Sequence, residues 1–180
     1  ARYGVGYMPK PGGDKIGRRR LDTHFLGFKM LGAAFNYDAG DSFYSVEAPK
    51  EGLKGTYMLL DEASVTGTAN VVMAACLAEG ETVLENAAQE PEIPDLAELL
   101  IAMGAQISGH GSSRIHVQGV ERLHGATHAV VVDRIEAGTF LLAAAITRST
   151  LTVGPVIPDH LGAVLTKLEE AGCRLSMDGT

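Results

Sequence analysis

Several residue types and patterns are scarce or missing in this 180-residue chain. It contains no tryptophan, and its longest unbroken apolar run, residues 71–78, is far shorter than the roughly 20 residues of a membrane-spanning helix. Its two cysteines, Cys76 and Cys173, lie in apolar sequence without a metal-binding or redox motif. These absences argue against a membrane-spanning protein and a disulfide scaffold, and they predict reduced core thiols in a cytosolic protein.

Basic residues are in the minority, since 15 lysines and arginines face 22 acidic residues and give a net charge of −7. This balance argues against general nucleic-acid binding. Residues 1–20 depart from it, because six basic residues and one acidic residue give this segment +5 and leave −12 for the rest. A basic, glycine-containing segment on an acidic body indicates a local anion site, and a solvated basic arm is the alternative.

Three common kinds of site are missing or incomplete. Residues 12–17 have the glycine spacing of a phosphate-binding P-loop but lack the Lys-Ser/Thr pair that must follow it. No G-x-S-x-G nucleophile motif occurs. His124 and His128 are four residues apart, but Gly125 stands between them in a turn-like stretch and zinc needs further ligands, so we expect no metal site.

The chain does contain an internal repeat. A helix-like pattern ends three times in a glycine followed by an alternating segment, at Gly32, Gly104 and Gly172, with spacings of 72 and 68 residues. A glycine in this position indicates a left-handed residue that ends a helix. The repeat therefore predicts related helix–strand units, one complete and two partial.

The residues between these glycines predict an α/β (α+β) protein built from βαβαββ units. The predicted strands span residues 56–60, 81–85, 106–108, 114–117, 129–132 and 150–153. The predicted helices span residues 68–78, 95–103, 137–147 and 160–170. Residues 140–146 are apolar on every side, so we expect the third of these helices to be buried against sheets.

Three segments carry the candidate chemistry. Residues 11–24 combine glycines, which let the backbone approach a ligand, with arginines that can hold phosphate through paired hydrogen bonds. Residues 61–70 join a strand to a helix, where free N–H groups can seat a diphosphate. A plain N-cap role for Ser64 or Thr66 is the alternative there. Residues 85–95 are predicted as a loop and the start of a helix.

Four motifs, in order along the chain, resemble the UDP-N-acetylglucosamine enolpyruvyl transferase family. Residues 11–24 match the family pattern P-G-G-C-x-I-G-x-R-P-x-D-x-H except at Asp14 and Arg20, where the family has Cys and Pro. The other three motifs are S-V-T-G-T-x-N at residues 64–70, E-N-A-A-x-E-P-E at residues 85–92 and D-R-I-E-x-G-T-F at residues 133–140.

The resemblance implies an inside-out α/β barrel, with two domains of three βαβαββ units each and substrates in the cleft between them. It implies transfer of the enolpyruvyl group of phosphoenolpyruvate to the 3-hydroxyl of UDP-N-acetylglucosamine, with release of phosphate and without metal or organic cofactor. Family members are more than twice this long. Residues 1–126 then correspond to the later part of the first domain, and residues 127–180 to the start of the second.

The resemblance also assigns roles to single residues. Asp14 stands at the position of the catalytic Cys, which protonates the methylene carbon of phosphoenolpyruvate. The positions at the uracil end of the nucleotide are Arg19, Arg20, Leu21, Asp22 and Thr23. The positions at the diphosphate are Glu62, Ala63, Ser64 and Val65. At the position of Glu62, many members of the family carry Lys.

Further expectations concern the whole enzyme. It is expected in the cytoplasm, at the first committed step of peptidoglycan synthesis, serving cell-wall formation, cell shape and cell division, and insensitive to fosfomycin. Its partners are the two substrates and the remaining half of the same enzyme, with no nucleic acid and no membrane. The family's general base, its N-terminal Lys-Asn pair and several arginines would lie outside this chain, so the chain alone is expected to be inactive.

Residues 1–20 are expected to form a lid over the nucleotide sugar. Two alternative functions stay open. One is a shikimate-pathway enolpyruvyl transferase, which shares fold and reaction. The other is a non-catalytic UDP-sugar-binding paralogue, in which the unusual Asp14 and Glu62 mark lost chemistry.

Overall fold

A computed structural model describes residues 3–9, 21–38, 40 and 43–177 of the chain. The chain divides into two compact units, unit 1 with residues 1–129 and unit 2 with residues 130–180. The predicted division after residue 126 lies close to this boundary. That the two units are the family's two domains stays a prediction. Residues 10–20 of the predicted lid, residues 1–20, lie outside the described residues. Residues 5–9 form a strand that pairs with residues 43–47, so the prediction of a loop is wrong for that part of the segment.

Unit 1 contains seven strands and three helices among its described residues. They are β1 Val5–Pro9, α1 Asp22–Met30, β2 Ala34–Asp38, β3 Phe43–Glu47, β4 Tyr57–Leu59, α2 Val65–Ala75, β5 Glu81–Glu85, α3 Glu92–Ala102, β6 Gln106–Ser108 and β7 Arg114–Gln118. The first sheet has the strand order β1-β3-β2 and is antiparallel throughout. The second has the order β4-β5-β7-β6, in which β4 and β5 are parallel and the other pairs antiparallel.

The core of unit 1 forms where the inward faces of the second sheet meet α2 and α3. Alternation along β5 and β7 places Leu84 opposite Ile115, and both side chains are fully buried. Val71 of α2 belongs to the same buried cluster. Cys76, at the end of α2, is also buried, and burial raises the pKa of its thiol to about 11, which keeps it protonated and unreactive. Cys173 is free but only half-buried.

The glycines of the repeat end helices as predicted. Gly32, Gly104 and Gly172 have φ angles of +94°, +100° and +90°, and each lies just beyond the end of a helix. Side chains with a Cβ rarely adopt this left-handed conformation, which glycine takes without strain. Residues 32 and 104 are each followed by an antiparallel strand pair, so the repeated pattern is real in unit 1.

The structure of unit 2 contradicts two predictions. Its described elements are α4 Arg134–Thr147, a 3-10 turn at Pro158–Leu161 and α5 Gly162–Glu170. Residues 130–177, all of them described, contain no strand, so the predicted strands 129–132 and 150–153 are absent. A strand needs a neighbouring strand to pair with, and neither sheet of the described residues includes a strand from residues 130–177.

The predicted burial of α4 is therefore also wrong for this structure. Phe140, Leu142 and Ile146 are 51%, 54% and 84% exposed, while Ala137 and Gly138 are buried. The apolar helix has no sheet to pack on within unit 2, although its composition is that of a buried helix. No helix among the described residues is long and apolar enough to cross a membrane.

Candidate functional site

The N-terminal halves of α1 and α2 pack side by side at unusually close range. Thr23 is fully buried, and a Cβ placed on Gly67 would lie 2.9 Å from its Cγ2 atom. One turn further along, a Cβ on Gly27 would overlap the side chain of Val71. Because positions four residues apart share one face of a helix, these two pairs interlock α1 with α2. The two helices begin next to each other as a result.

His24 ties the two helices together through polar contacts. Its Nδ1 atom lies 2.8 Å from the amide nitrogen of Asn70, and its Nε2 atom lies 3.3 Å from the hydroxyl of Thr66. An amide nitrogen donates, so Nδ1 accepts and the proton sits on Nε2, which is the neutral imidazole. Burial acts in the same direction and lowers the pKa of His24 from its ordinary value.

This neutral histidine predicts that unit 1 loses stability in mild acid. Because the pKa of His24 is lower in the folded than in the unfolded chain, its contribution is complete above about pH 6.5 and is lost as the pH falls through the folded pKa. We expect the urea midpoint of the full-length protein, followed by circular dichroism, to fall between about pH 7 and about pH 5. Gln does not titrate, so the urea midpoint of His24→Gln should change less with pH than that of the wild type. If the midpoints of both proteins fall equally between pH 7 and pH 5, His24 is not the titrating group.

The turn between β4 and α2 presents the helix N-terminus. Ser64 is the N-cap, and its Oγ atom accepts a hydrogen bond of 3.1 Å from the N–H of Gly67. The N–H of Ser64 itself donates to the carbonyl of Glu62 at 2.8 Å. The first N–H groups of a helix have no acceptor within the helix, which leaves those of Val65 and Thr66 for a ligand. The N-cap interpretation of Ser64 and the anion-seat interpretation are therefore compatible.

Glu62 and Thr23 connect this turn to the start of α1. The hydroxyl of Thr23 donates to Oε1 of Glu62 at 3.3 Å, across 39 residues of sequence. Leu21 is the N-cap of α1 and Asp22 lies in its first turn. Ala63 is exposed next to the Ser64 cap.

The structure thus brings Thr23 and the 62–65 turn together. Three predicted site residues, Asp14, Arg19 and Arg20, lie outside the described residues.

The third motif makes hydrogen bonds to the segments that form the candidate site. The N–H of Ala88 donates to the buried hydroxyl of Thr68 at 3.0 Å, and the amide of Asn86 donates to the carbonyl of Leu60 at 3.0 Å. These bonds fix the end of β4 and the first turns of α2. The sequence marked this segment as a loop and helix start, which is correct. The supporting roles of Asn86 and Thr68 were missed, although the φ of +57° at Asn86 is a typical asparagine conformation.

Two other regions lie apart from this arrangement. Nε2 of His128 lies 2.9 Å from Oδ1 of Asp95 in α3, at hydrogen-bond distance, so this histidine makes a contact within unit 1. Among the residues that the structure describes, no group of three or more His, Cys, Asp or Glu side chains could hold a metal ion. In unit 2, an open cavity of about 450 Å³ is lined by residues 132–133, 136–137, 140 and 151–156. It contains none of the predicted site residues.

Comparison with known proteins identifies the relationship. Residues 3–180 match the family model described as EPSP synthase (3-phosphoshikimate 1-carboxyvinyltransferase). A protein of Acidobacterium capsulatum is 55% identical over 179 residues, which are 99% of this chain and 40% of the relative. A protein of Bacteroides fragilis is 51% identical over 179 residues, which are 99% of this chain and 41% of that relative. Both are named UDP-N-acetylglucosamine 1-carboxyvinyltransferase, which confirms the resemblance found in the motifs.

The chain spans about 40% of the length of these curated relatives. Solved structures agree on the fold. The enolpyruvyl transferase NikO from Streptomyces tendae matches with a TM-score of 0.76 at 18% identity, over 98% of this chain and 42% of that protein. EPSP synthase from Acinetobacter baumannii matches with a TM-score of 0.63 at 23% identity. This match covers 93% of this chain and 37% of that protein. At this identity the likeness shows the fold alone, a mixed α/β architecture.

Proposed function

Because the chain belongs to the EPSP synthase (3-phosphoshikimate 1-carboxyvinyltransferase) family, we propose that its full-length protein is an enolpyruvyl transferase acting on UDP-N-acetylglucosamine. The enolpyruvyl group of phosphoenolpyruvate passes to the sugar 3-hydroxyl by addition and elimination, and phosphate leaves. The observation that carries this proposal is the paired start of α1 and α2, built from the two motifs of the nucleotide-sugar branch. Relatives at 51–55% identity with that name support the choice of branch.

In this proposal, different site residues bind different parts of the nucleotide sugar. The N–H groups of Val65 and Thr66, at the positive end of α2, hold the diphosphate. The uracil end lies against the segment before and at the start of α1. That segment comprises Arg19, Arg20, Leu21, Asp22 and Thr23. Asp14 is the loop acid that protonates the methylene carbon of phosphoenolpyruvate.

The remaining parts of the active site come from the rest of the polypeptide. The base for the sugar hydroxyl and the arginines that hold phosphoenolpyruvate belong to the part of the relatives' length that this chain does not span, so we expect this chain alone to be inactive. Residues 1–126 and 127–180 then contribute to two domains of an inside-out α/β barrel. The enzyme acts in the cytoplasm at the first committed step of peptidoglycan synthesis and needs no metal or organic cofactor.

A phosphate-release assay on the full-length protein tests the proposal. Phosphate should appear when phosphoenolpyruvate and UDP-N-acetylglucosamine are both present, and omission of either substrate should stop it. Shikimate 3-phosphate serves as the matched alternative acceptor, because the family model carries the name of the shikimate enzyme. Activity with shikimate 3-phosphate instead would favour that branch. Nucleotide-sugar binding without phosphate release would favour a non-catalytic binding protein.

A further inference from the structure

The chain between β7 and the end of unit 1 forms a strap, defined here as residues 119–128, that contains neither helix nor strand. Its backbone is nevertheless hydrogen-bonded to other segments. The N–H of Gly119 donates to the carbonyl of Gly80 at 2.9 Å, and the N–H of Val120 donates to the carbonyl of Cys76 at 2.8 Å. The first part of the strap is therefore fixed beside the end of α2 and the start of β5.

The next part of the strap lies against the end of α3. The side chain of Leu123 packs against the buried core of unit 1. The N–H of His124 donates at 2.9 Å to the carbonyl of Met103, which is the C-cap of α3. The ring of His124 also lies so close to the chain that a Cβ on Gly104 would be 3.1 Å from its Nε2 atom. The strap thus has a second anchor at the C-terminal end of α3.

His128 provides a third anchor, near the other end of the same helix. Its Nε2 atom lies 2.9 Å from Oδ1 of Asp95, which belongs to the first turn of α3. A carboxylate only accepts hydrogen bonds, so Nε2 donates. Both side chains are mostly buried, and a hydrogen bond to a charged group is stronger than one between neutral groups. Residues 125–127, all of them described, are exposed and make no hydrogen bond outside the strap.

The strap has little slack between its second and third anchors. Asp95 and Met103 are eight positions apart in α3, which corresponds to about 12 Å along the helix axis. Four residues lead from His124 to His128, and a fully extended chain of that length spans about 13–14 Å. The strap therefore runs close to its extended length along α3, in the opposite direction.

We propose that the contact between His128 and Asp95 is a latch that fixes the end of the strap to unit 1. While the latch is closed, the chain can move independently of α3 only after residue 128. When the latch is open, this freedom begins after His124, because residues 125–127 have no other anchor. The latch is a conformational device that sets how much of the connection toward unit 2 is free to move. This inference goes beyond the proposed function and does not depend on it.

His128→Leu in the full-length protein opens the latch and keeps an apolar side chain of moderate size at this position. Proteases cut segments that leave the folded surface, and the rate follows the population of the open form when opening is fast. We expect a broad-specificity protease to cut within residues 125–129 about fivefold faster in this variant than in the wild type, because one hydrogen bond typically contributes such a factor. Mass spectrometry of short digests locates the cuts. Cutting at the exposed turn of residues 50–51 is the internal reference and should not change.

Two variants serve as controls. His128→Gln keeps an N–H donor that can reach Asp95, so cutting within residues 125–129 should stay near the wild-type rate. His116→Leu removes a similar contact elsewhere in unit 1, since Nδ1 of His116 lies 3.1 Å from Oε1 of Glu81. It should also leave the strap at the wild-type rate.

Equal cutting within residues 125–129 in the wild type and in His128→Leu, including no cutting in either, would overturn the inference. If His128→Gln is cut as fast as His128→Leu, the hydrogen bond does not hold the strap and the inference fails. A parallel rise at residues 50–51 in His128→Leu would show that the whole unit has lost stability, which also contradicts a local latch.

Discussion

Asp14→Asn should lower kcat of the full-length protein by about 10²–10⁴-fold, the usual contribution of a general acid, while nucleotide-sugar binding persists. An amide cannot donate the proton that the methylene carbon of phosphoenolpyruvate must receive. An ordinary Asp is ionised at neutral pH, so the acid must gain its proton in the complex, where anionic phosphoenolpyruvate favours the neutral carboxyl group. Full activity of the Asn variant would show that Asp14 merely shapes a turn after Gly13.

Asp14→Cys provides the matched gain-of-function test. A thiolate attacks an epoxide such as fosfomycin far more readily than a carboxylate does. The Cys variant should therefore stay active and become sensitive to fosfomycin, with a covalent adduct visible by intact mass. The wild-type protein should show neither inhibition nor adduct. An adduct on the wild type at Asp14 would refute its role as a poorly nucleophilic loop acid.

Gly27→Leu should destabilise the full-length protein by about 3 kcal/mol, since it inserts four carbon atoms into a closed helix contact. Even the first of these carbons would overlap the side chain of Val71. The two helices must separate to admit it, and the contacts of His24 with α2 should weaken in the same step. Urea denaturation measures the loss of stability, and titration with UDP-N-acetylglucosamine should show weakened binding.

Gly162→Leu is the control for this prediction. A Cβ at Gly162 meets no atom within 4 Å, and the residue has an ordinary helical φ of −46°. The same substitution should therefore be close to neutral for stability and for ligand binding. Similar effects of both substitutions would show that the close packing of α1 on α2 is unimportant.

Local patterns were enough to predict much of unit 1. The pattern of residues 81–85 predicts the strand found there, and the glycines after α1 and α3 mark the ends of those helices, as the glycine after α5 does in unit 2. Alternation and left-handed glycines depend on a few neighbouring residues, so they are visible in sequence. Helix α2 begins three residues before the predicted start at residue 68, directly after Ser64, which the sequence offers as a possible N-cap.

Features that depend on distant partners could not be predicted in this way. The contact between Thr23 and Glu62 spans 39 residues, and that between His24 and Asn70 spans 46. No local pattern specifies such a pair, so the arrangement of the site came from the family resemblance. The prediction that α4 is buried was wrong for the same reason. An apolar composition indicates that a helix should be buried, but it does not show which segment covers the helix.

Hydrogen exchange of the full-length protein with and without UDP-N-acetylglucosamine tests the location of the site most directly. At saturating ligand, the amides of Val65 and Thr66 should exchange more slowly, because the diphosphate takes their hydrogen bonds. Helix α3, which belongs to unit 1 but not to the site, should exchange at an unchanged rate. If the amides of residues 62–67 exchange at an unchanged rate when the protein is saturated with UDP-N-acetylglucosamine, the account is contradicted and the nucleotide sugar binds elsewhere.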